Sequence, residues 1–492
     1  MDYNNFVRLS NEFNFVPVYE KMTADLLTPV MAYLKIRKKN STSFLLESVE
    51  GIGRLARYSF IGVNPSEIIS NTGLELKIVS DNAEETRSEN IFDYLKKRIS
   101  DFSYPRLEEL PYFTGGIVGY LGFENISLIE EVIKFEQESD LIAPHSILGF
   151  YQTIVVFDHF KHQIILITNV DVSRKTDIYK KYDDAKLILN NLRSLLLRTA
   201  EYKSDFKAIP KTLSKEEEDQ FCRLVEQSKK NIYDGDVFQI VLSKRFEADF
   251  EGDTFNVYRA LRMINPSPYM YFMEFENDFR VIGTSPEDLL KVKNRKAEIL
   301  PIAGTRRRGR NEKEDQNLEK ELMNDPKEIA EHVMLVDLAR NDLGRVCKYG
   351  SVKLSEEMKI NRFSHVMHIV SRVEGMLRDD CDCIDALRAS FPAGTVTGAP
   401  KIKAIQLIND YEKLNRSVYA GAAGYIDMSG NLDLCIAIRT LFSKGNRIFW
   451  QAGAGIVADS NPELELKEIK NKSAVLLSAL KIAEVIDENL DN

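Results

Sequence analysis

The sequence predicts an α+β protein in which antiparallel β-sheets are covered by helices. Short apolar, β-rich runs follow one another through polar turns, which is typical of hairpins, and helical patterns stand between them. Hairpins that alternate with helices imply antiparallel sheets with helices outside. At 492 residues the chain exceeds the ~250 to 300 residues at which a single core stops growing, so it forms two large units or one composite double-layered domain.

In the first part of the chain the clearest pattern is a hairpin within residues 147–170, where two apolar runs flank a polar turn at Asp158 to His162. A charged helical pattern follows from about Ser173 to Thr199. The polar segment from Glu201 to Pro210 comes next and is the best candidate for a domain boundary, which predicts an N-terminal domain over residues 1–205.

Beyond this boundary the predicted order is helix, strand, helix and hairpin, within a C-terminal domain that runs to residue 492. The predicted elements are a helix over Lys215–Tyr233, a strand over Val237–Phe250, a helix over Thr254–Ile264, a hairpin around Glu276 to Asp278, and three or four strands within 421–459.

Composition limits the class of protein and its partners. The formal net charge of −9 argues against nucleic acid, because phosphate backbones are bound by net basic faces. The N-terminus has no apolar signal region, and no apolar run reaches the ~18 residues of a membrane span, so we expect a cytoplasmic protein without membrane contact. The cysteines are too few and too scattered for a disulfide framework or a zinc site, so we expect reduced thiols.

Two pairs of glutamates stand three residues apart on predicted helices. Glu328 and Glu331 share one helix face, and Glu465 and Glu468 share another, behind Asn461 as a helix N-cap. Two such pairs could supply the oxygen ligands that Mg²⁺ prefers. Helix carboxylates are more often a solvated face, so spacing alone leaves both interpretations open.

Two glycine clusters and a histidine pair are further candidates. FPAGTVTGAPK (391–401) and QAGAGIVAD (451–459) match neither the phosphate-loop nor the dinucleotide spacing. Their glycines either let backbone N–H groups approach an anion or form bulges and tight turns, and the second is commoner. His365 and His368 lie in a strand-like run, where a histidine is either a proton-transfer group or a structural residue.

Taken together and in this order, these segments resemble the chorismate-utilising enzymes and, among them, the anthranilate synthase component I family. The resemblance covers nearly the whole chain and is densest over the C-terminal domain. It implies two large antiparallel β-sheets packed as a sandwich with helices on the outside. The motifs that carry it are LLES, GGIVGYLGF, NPSPYM, GTSPE, PIAGTRRRG, AEHVMLVDLARNDLGRV, HVMHIVSRVEG, FPAGTVTGAP, CIAIRT and QAGAGIVADSNPE.

The resemblance implies an activity that depends on a metal ion. The chain is expected to bind chorismate with Mg²⁺, add ammonia at C2 as the C4 hydroxyl leaves, and eliminate pyruvate to give anthranilate. A carboxylated substrate among acidic residues needs a bridging cation. By similarity, Glu331 and Glu468 hold Mg²⁺ directly, and Glu328 and Glu465 hold it through water.

By the same similarity, two sets of residues bind the carboxylates of the substrate. The enolpyruvyl carboxylate is expected at Arg439 and Tyr419, because a planar guanidinium matches a planar carboxylate. The contacts around the ring carboxylate are assigned to Gly304, Thr305, Gly453 and Gly455.

The resemblance assigns chemical roles to three residues, and two others argue against nucleophiles other than ammonia. By the resemblance, Glu287 is expected to donate a proton to the leaving hydroxyl, and His368 is expected to remove the C2 proton. Thr395 is expected to contact the ring near the reacting groups. Water-adding relatives carry a lysine where this chain has Gln239, and aminodeoxychorismate synthases carry one where it has Ala303. Neither an amide nor a methyl group replaces that lysine, so ammonia is the expected nucleophile.

The resemblance also implies a protein partner. No Gly-x-Cys-x-Gly context surrounds any cysteine, so we expect no glutaminase activity in this chain. A separate glutamine amidotransferase subunit, component II, is expected to dock on the C-terminal half and supply ammonia, within a heterotetramer.

L-Tryptophan is the expected feedback inhibitor. The LLES and NPSPYM segments resemble the regulatory site of the family, which belongs partly to the N-terminal domain. For two of its residues, Tyr269 and Met270, plain core packing is the alternative. The predicted lining is Glu47, Ser48, Pro268, Tyr269, Met270 and Tyr425.

Two other functions stay open at this point. An aminodeoxychorismate synthase component I is disfavoured by Ala303, and a non-catalytic chorismate or tryptophan sensor would require the loss of a ligand that this chain retains. The arginines of 306–310 predict a loop that leaves an active-site strand and steers a dianionic substrate, with no contact assigned to any one of them.

Overall fold

The computed structural model describes residues 1–50, 54–55, 57–80, 83–135, 143–199, 202, 204–362 and 366–487. None of the helices in these residues is long and apolar enough to cross a membrane. All five cysteines are free thiols, as expected. In chain order the α-helices of the described residues are α1 (Tyr3–Glu12), α2 (Pro29–Ile36), α3 (Ile91–Ser100), α4 (Ile178–Leu197), α5 (Lys215–Tyr233), α6 (Phe255–Ile264), α7 (Glu312–Met323), α8 (Pro326–Gly344), α9 (Cys383–Ser390), α10 (Lys401–Tyr411) and α11 (Pro462–Val485).

The strands of the described residues fall into two large sheets and one short hairpin. In chain order they are β1 (Phe15–Thr23), β2 (Ser43–Glu47), β3 (Val49–Glu50), β4 (Arg54–Leu55), β5 (Tyr58–Val63), β6 (Glu67–Thr72), β7 (Glu75–Ser80), β8 (Ala83–Ser88), β9 (Gly116–Leu121), β10 (Ser146–Tyr151), β11 (Thr153–Asp158), β12 (Gln163–Asp171), β13 (Phe206–Pro210), β14 (Gln239–Gly252), β15 (Tyr269–Phe275), β16 (Phe279–Ser285), β17 (Asp288–Lys293), β18 (Lys296–Ile299), β19 (Ile302–Arg307), β20 (Lys353–Arg362), β21 (Val366–Met376), β22 (Gly398–Ala399), β23 (Ala422–Asp427), β24 (Leu432–Ile436), β25 (Thr440–Lys444) and β26 (Arg447–Ile456).

Each large sheet is antiparallel and has twelve strands. The first has the order β1-β12-β11-β5-β2-β15-β16-β25-β26-β14-β13, with β22 paired to β14; the second has the order β19-β21-β18-β17-β24-β23-β9-β10-β6-β7-β8, with β20 paired to β21. Both sheets contain strands from before and after residue 205, because β2 pairs with β15 and β9 pairs with β23. The division at residue 205 stays a prediction, and the two parts share both sheets.

The two sheets pack face to face with helices outside, so the predicted architecture is confirmed. Strand β15 shows the alternation that produces it. Tyr271 and Met273 join the apolar cluster between the sheets, whereas Met270 and Phe272 join the cluster under the outer helices. The inner faces of both sheets are therefore buried against each other.

Several predicted elements differ in detail from the observed ones. Strands β11 and β12 form the expected hairpin, but Ile147 to Tyr151 belongs to β10, which lies in the other sheet between β6 and β9. Every residue of β10 is buried, so its apolar run shows no period that separates it from its neighbour. The polar boundary segment contains the edge strand β13. Segment 421–459 forms four strands, and α5 has the predicted bounds.

A buried ion pair connects the sheets to the loops that follow them. The Arg416 guanidinium donates to both carboxylate oxygens of Glu412, with N–O distances of 2.6 and 2.8 Å. The same guanidinium donates to the carbonyls of Val241 and Val396 at 2.8 and 2.7 Å. Glu412 also accepts from the backbone N–H of Ser243 at 2.7 Å, which satisfies a donor at the open edge of β14.

We expect Glu412→Gln to destabilise the fold, because it removes the carboxylate that pairs directly with the buried Arg416 guanidinium. The two side chains are only 7% and 1% exposed, and breaking such a pair costs ~3 to 5 kcal/mol. Urea unfolding would measure the change in the free energy of unfolding. The control is Asp337→Asn, whose pair with Arg340 is 60% exposed on both sides and is worth ~0.5 kcal/mol or less. Equal losses for both variants would contradict this interpretation.

Candidate active site

The predicted substrate residues of the first sheet lie on the inner face of β14 and β26. Ser243 pairs with Gly453 and Val241 with Gly455, and paired residues of antiparallel strands point to the same side. A Cβ atom at Gly453 would lie 2.6 Å from the Tyr419 hydroxyl. The tyrosine ring therefore occupies space that a side chain at residue 453 would take.

The other glycine of this strand has a similar close neighbour. A Cβ atom at Gly455 would lie 2.6 Å from Nε2 of Gln239, so this glutamine amide stands directly over the glycine backbone. The prediction that Gln239 and Gly455 belong to one site is therefore consistent with their contact. An amide at this place is neither a base nor a nucleophile near neutral pH.

Arg439 enters the site from the residue before β25. Its φ of 48° is left-handed, a conformation that a non-glycine residue adopts at a cost of ~1 to 3 kcal/mol and that often marks functional sites. Its Nη1 donates to Oδ1 of Asn265 at 3.3 Å. Burial lowers the pKa of the guanidinium, and the Glu287 carboxylate opposes this shift. Arg439 also lowers the pKa of His368, although burial lowers it more. Glu287 and His368 therefore both lie near Arg439.

His368 is oriented by a bulge in the neighbouring strand. Strand β19 shifts its register between Ala303 and Thr305, and Gly304 at the bulge has a left-handed φ of +67°. The Gly304 carbonyl accepts a hydrogen bond from Nδ1 of His368 at 2.9 Å, and the Thr305 hydroxyl lies 3.1 Å from the same nitrogen. Because a carbonyl only accepts, the proton is on Nδ1 and Nε2 is the basic nitrogen.

The electrostatics of His368 suit a base. Burial is the main reason that its pKa is lowered, and Arg439 contributes in the same direction. The imidazole is therefore neutral near neutral pH. His365, the other histidine of the predicted run, lies outside the described residues.

Glu287 and Thr395 form the acidic side of the site. Burial raises the pKa of Glu287, while Arg439, Lys472 and the Thr395 hydroxyl oppose the shift. Thr395 Oγ1 is buried and makes no hydrogen bond of good geometry. A carboxyl with a raised pKa keeps its proton at higher pH, as a proton donor must.

Ala303 brings no reactive group to this region. It is 7% exposed and pairs with Ile369, which packs with Leu322 and Met367 in a small apolar cluster. Its methyl group is thus part of the packing under α7.

The four predicted metal glutamates come from the first two turns of α8 and of α11. The pKa of Glu331 is raised by burial and, next, by the Glu328 carboxylate; the Glu468 carboxylate raises it further. The pKa of Glu465 is also raised, again by burial and then partly by Glu468. Carboxylates that crowd in this way favour a cation among them.

Protein cations already neutralise two of these glutamates. Arg306 pairs with Glu328 at 2.9 Å, and Lys472 pairs with Glu468 at 2.7 Å. Across the described ranges, no group of three or more histidine, cysteine or acidic side chains is arranged to hold a metal ion. The acidic oxygens suit Mg²⁺ chemically, but binding it would require the two cations to move and the carboxylates to draw together.

Lys472 is the main site residue that the sequence prediction missed. Its Nζ also donates to the Gly453 carbonyl at 2.8 Å, so it connects α11 to the glycine strand. The available signal was its position four residues after Glu468 on the same helix. Asn265, the partner of Arg439, immediately precedes the PSPYM residues and was missed as well.

The arginines of 306–308 hold the segment beyond β19 in place. Arg306 pairs with Glu321 and Asp325 in addition to Glu328, each at 2.8 or 2.9 Å. The other two arginines pair with acids of α7: Arg307 with Glu314 and Arg308 with Asp315. These charges are engaged with helices α7 and α8 and their connection, which the expectation of a substrate-steering loop did not foresee.

The six residues of the predicted effector pocket line one cavity of about 700 Å³. The Tyr425 ring lies 4.3 Å from that of Phe113, so one wall is aromatic and suits a flat apolar ring. Glu47 is buried and accepts from the Tyr258 hydroxyl at 2.6 Å, with Arg262 Nε 2.9 Å away. The structure therefore brings these residues together around one space: Glu47, Ser48, Pro268, Tyr269, Met270 and Tyr425.

The same cavity reaches the strands of the active site. Ile302 and Val370, which pair in β19 and β21, both line it. These residues adjoin Ala303 and, one residue further, His368. A ligand in the cavity would thus contact strands that carry the candidate base.

The fold and site define a class of protein. The sequence profile of the chorismate binding enzyme family matches residues 50–478. The chain belongs to this family.

Particular relatives define its group within the family. This chain is 42% identical over 485 residues to anthranilate synthase component 1 of Acetivibrio thermocellus. The alignment covers 96% of this chain and 97% of that protein. The crystal structure of anthranilate synthase component I from Streptococcus pneumoniae TIGR4 matches with a TM-score of 0.77 at 36% identity, over 93% of this chain and 99% of that one. The chain therefore groups with the anthranilate synthase component 1 proteins.

A more distant structure supports the assignment of the fold and nothing further. MenF, the menaquinone-specific isochorismate synthase from Escherichia coli, matches with a TM-score of 0.70 at 18% identity, over 97% of this chain and 98% of that one.

We expect Asp288→Asn to stabilise the chain at high pH more than at low pH. Asp288 lines the effector cavity, and burial raises its pKa to about 7 from the ordinary value of 3.8. Ionisation in the folded chain is thus penalised, and wild-type stability falls as the pH rises from 4 through 7. The variant should gain on the order of 3 kcal/mol over wild type between pH 4 and pH 8, measured by urea unfolding. The half-exposed Asp278, as Asp278→Asn, is the control; a pH-independent difference at Asp288 would contradict the assignment.

Proposed function

We propose that this chain is the chorismate-converting component of an anthranilate synthase, which adds ammonia to chorismate and releases pyruvate to give anthranilate. The observation that carries the proposal is the Gln239 amide over Gly455, where water-adding relatives carry a lysine. No base at that place activates water, so a nucleophile that needs no activation fits. The names of relatives at 42% and 36% identity support the same reaction.

Each residue has a role that follows from its surroundings. Arg439 and Tyr419 bind the enolpyruvyl carboxylate, and Gly304, Thr305, Gly453 and Gly455 bound the space for the ring carboxylate. The Glu287 carboxyl donates its proton as the C4–O bond breaks, so that the oxygen leaves as water while the ammonia nitrogen bonds to C2.

Elimination requires a base on the amino-bearing carbon. His368 Nε2 removes the C2 proton, the released electron pair completes the aromatic ring, and the C3–O bond breaks, so that the enolate of pyruvate leaves and takes up a proton on its methylene carbon to become pyruvate. The lowered pKa of His368 keeps its imidazole neutral for this step. Thr395 lies beside Glu287 and contacts the ring near the reacting groups.

Mg²⁺ is the proposed cofactor, and its residues fit by donor type. Glu331 and Glu468 would hold it directly, and Glu328 and Glu465 through water. When bound, the ion would neutralise and position the ring carboxylate. Arg306 and Lys472 hold two of these carboxylates in the structure described here, and their release is part of the proposal.

Ammonia is proposed to come from glutamine through a separate amidotransferase subunit, as component II of a heterotetramer. The designation "component 1" of the relatives supports the existence of such a partner. Tryptophan is the proposed feedback ligand of the 700 Å³ cavity, whose aromatic wall suits an indole and whose polar rim suits the amino acid group.

Product analysis tests the reaction. The purified chain with chorismate, Mg²⁺ and ammonium should form fluorescent anthranilate and an equal amount of pyruvate. Aminodeoxychorismate without pyruvate would instead support the aminodeoxychorismate synthase reaction, and no chorismate consumption would support a sensor. Glutamine as the sole nitrogen source should give no product without the partner.

We expect His368→Met to separate the two half-reactions. Ammonia addition does not use the imidazole, whereas loss of the base should slow elimination by ~10²-fold or more. The aminated, enolpyruvyl-bearing intermediate should therefore accumulate, as detected by mass spectrometry of quenched reactions. His162 lies in an exposed turn, so His162→Asn is the control and should behave as wild type. Equal loss of both steps at residue 368 would exclude the assigned role.

We expect Ser48→Phe to relieve tryptophan inhibition while turnover is largely retained. The phenyl group would occupy part of the effector cavity, in which Ser48 is a lining residue. Inhibition curves with tryptophan at fixed chorismate would measure the change, and Ser100→Phe at the exposed end of α3 is the control. Unaltered inhibition in Ser48→Phe would locate the effector elsewhere.

A further inference from the structure

A small cavity of about 50 Å³ adjoins the candidate proton donor on the side toward helix α8. Glu287, Thr395 and Asp288 line it, and so does Asp342 near the end of α8. One water occupies about 30 Å³ of the liquid, so the cavity has room for one or two. Apolar residues such as Leu335 and Leu338 form most of the remaining lining, so water in this space would be held at the polar side chains.

Two residues that line this cavity carry orphaned polar atoms. Thr395 Oγ1 and Asp288 Oδ2 are both buried without a hydrogen-bond partner of good geometry. Buried polar atoms are normally satisfied, and ordered water satisfies those that the protein leaves unpaired. Asp288 also lines the 700 Å³ cavity, so Thr395 Oγ1, in the turn before β22, is the atom that indicates water in this space.

Asp342 leads from the cavity toward solvent. Its Oδ2 is 3.0 Å from Lys401 Nζ, and the two side chains are 15% and 14% exposed. The same Nζ donates to the Ser390 carbonyl at 3.4 Å. Burial raises the pKa of Asp342, while Lys401 and Arg345 oppose the shift. This carboxylate can therefore exchange protons with solvent more readily than the enclosed cavity can.

The proposed reaction needs a route of this kind. In each turnover Glu287 gives one proton to the leaving C4 oxygen, and the nitrogen that bonds to C2 later loses one. No net proton is consumed, but Glu287 must regain its proton before the next cycle. Substrate would cover the face of Glu287 toward Arg439 and Lys472, whereas the face toward the cavity stays open.

We propose that Asp342 and its Lys401 partner are positioning residues of a proton path, in which water in the 50 Å³ cavity connects Asp342 to Glu287 and restores the acid after each turnover. The path rests on the proposed function. It takes one proton from solvent to the Glu287 carboxylate for each proton that the nitrogen releases elsewhere, and no bond to carbon is involved. The charged groups around it are Lys401 and Arg345 at Asp342, Arg439 and Lys472 at Glu287, and Lys291 and Asp433 at Asp288.

The test compares the first turnover with later ones in Asp342→Asn and Lys401→Met. The path requires Glu287 to be protonated before the first turnover, so a rapid-mixing measurement of anthranilate fluorescence should show one equivalent formed at the wild-type rate. The following steady-state rate should fall at least roughly tenfold, toward the ~10²- to 10⁴-fold that a positioned acid or base contributes. A third variant, Asp342→Ala, removes the carboxyl and leaves its space open, so formic acid in the buffer should restore the steady-state rate of that variant.

The matched controls are Lys403→Met and Asp337→Asn, which remove charges from the same two helices. Lys403 pairs with Asp236 and Asp337 pairs with Arg340, and none of the four lines the cavity. A burst in Asp342→Asn or Lys401→Met, or acid rescue in Asp342→Ala, supports the path even if another of these variants fails to fold.

Three results would overturn the path. Unchanged steady-state rates would indicate that the nitrogen returns its proton directly, and equal slowing of first and later turnovers without rescue would indicate a structural role. Wild-type enzyme that consumes no chorismate would overturn the proposed function together with the path, whereas the first two results leave the proposed function standing.

Discussion

The geometry of the site depends on the Arg416 side chain. This buried guanidinium joins the edge of β14, the turn that carries Thr395 and the end of α10 through four hydrogen bonds. It also lies over the Tyr419 ring at 5.6 Å, and its backbone N–H donates to Glu124 at 2.6 Å. A charge so deeply buried is tolerated only when every partner is in place. The loops that carry Tyr419 and Thr395 are therefore fixed before any ligand arrives.

Charge is arranged around this fixed frame so that two kinds of group face one space. His368 comes from β21 and Arg439 from the residue before β25, and the carboxylates come from the first two turns of α8 and of α11. Protein cations balance two of those carboxylates, Glu328 and Glu468, in the described structure. A dianionic substrate with a divalent ion would replace this balance by a similar one, and that exchange is the physical basis of the proposed activity.

Much of the fold and of the site could be predicted from the sequence, because ordered motifs at strand ends carry most of the contacts. The motifs that carry Gly453, Tyr419, Gly304 and His368 were all assigned to one site, so the proximity of Gly453 to Tyr419 and of Gly304 to His368 could be expected. The missing parts depend on tertiary pairing. The fully buried β10 has no period that assigns it to a sheet, and Lys472 meets Gly453 only through the packing of α11 on β26. The ion pairs of Arg306–Arg308 likewise require the placement of α7, which local pattern does not supply.

The central claim is that the glutamates of α8 and α11 and the arginine before β25 together bind one substrate and one ion. A crystal structure of the Glu287→Gln chain with Mg²⁺ and chorismate tests it most directly. We predict Mg²⁺ on Glu331 and Glu468 beside the ring carboxylate, Lys472 displaced from Glu468, and the enolpyruvyl carboxylate on Arg439. Chorismate bound elsewhere, or bound here with the ion away from both glutamates, would contradict the account.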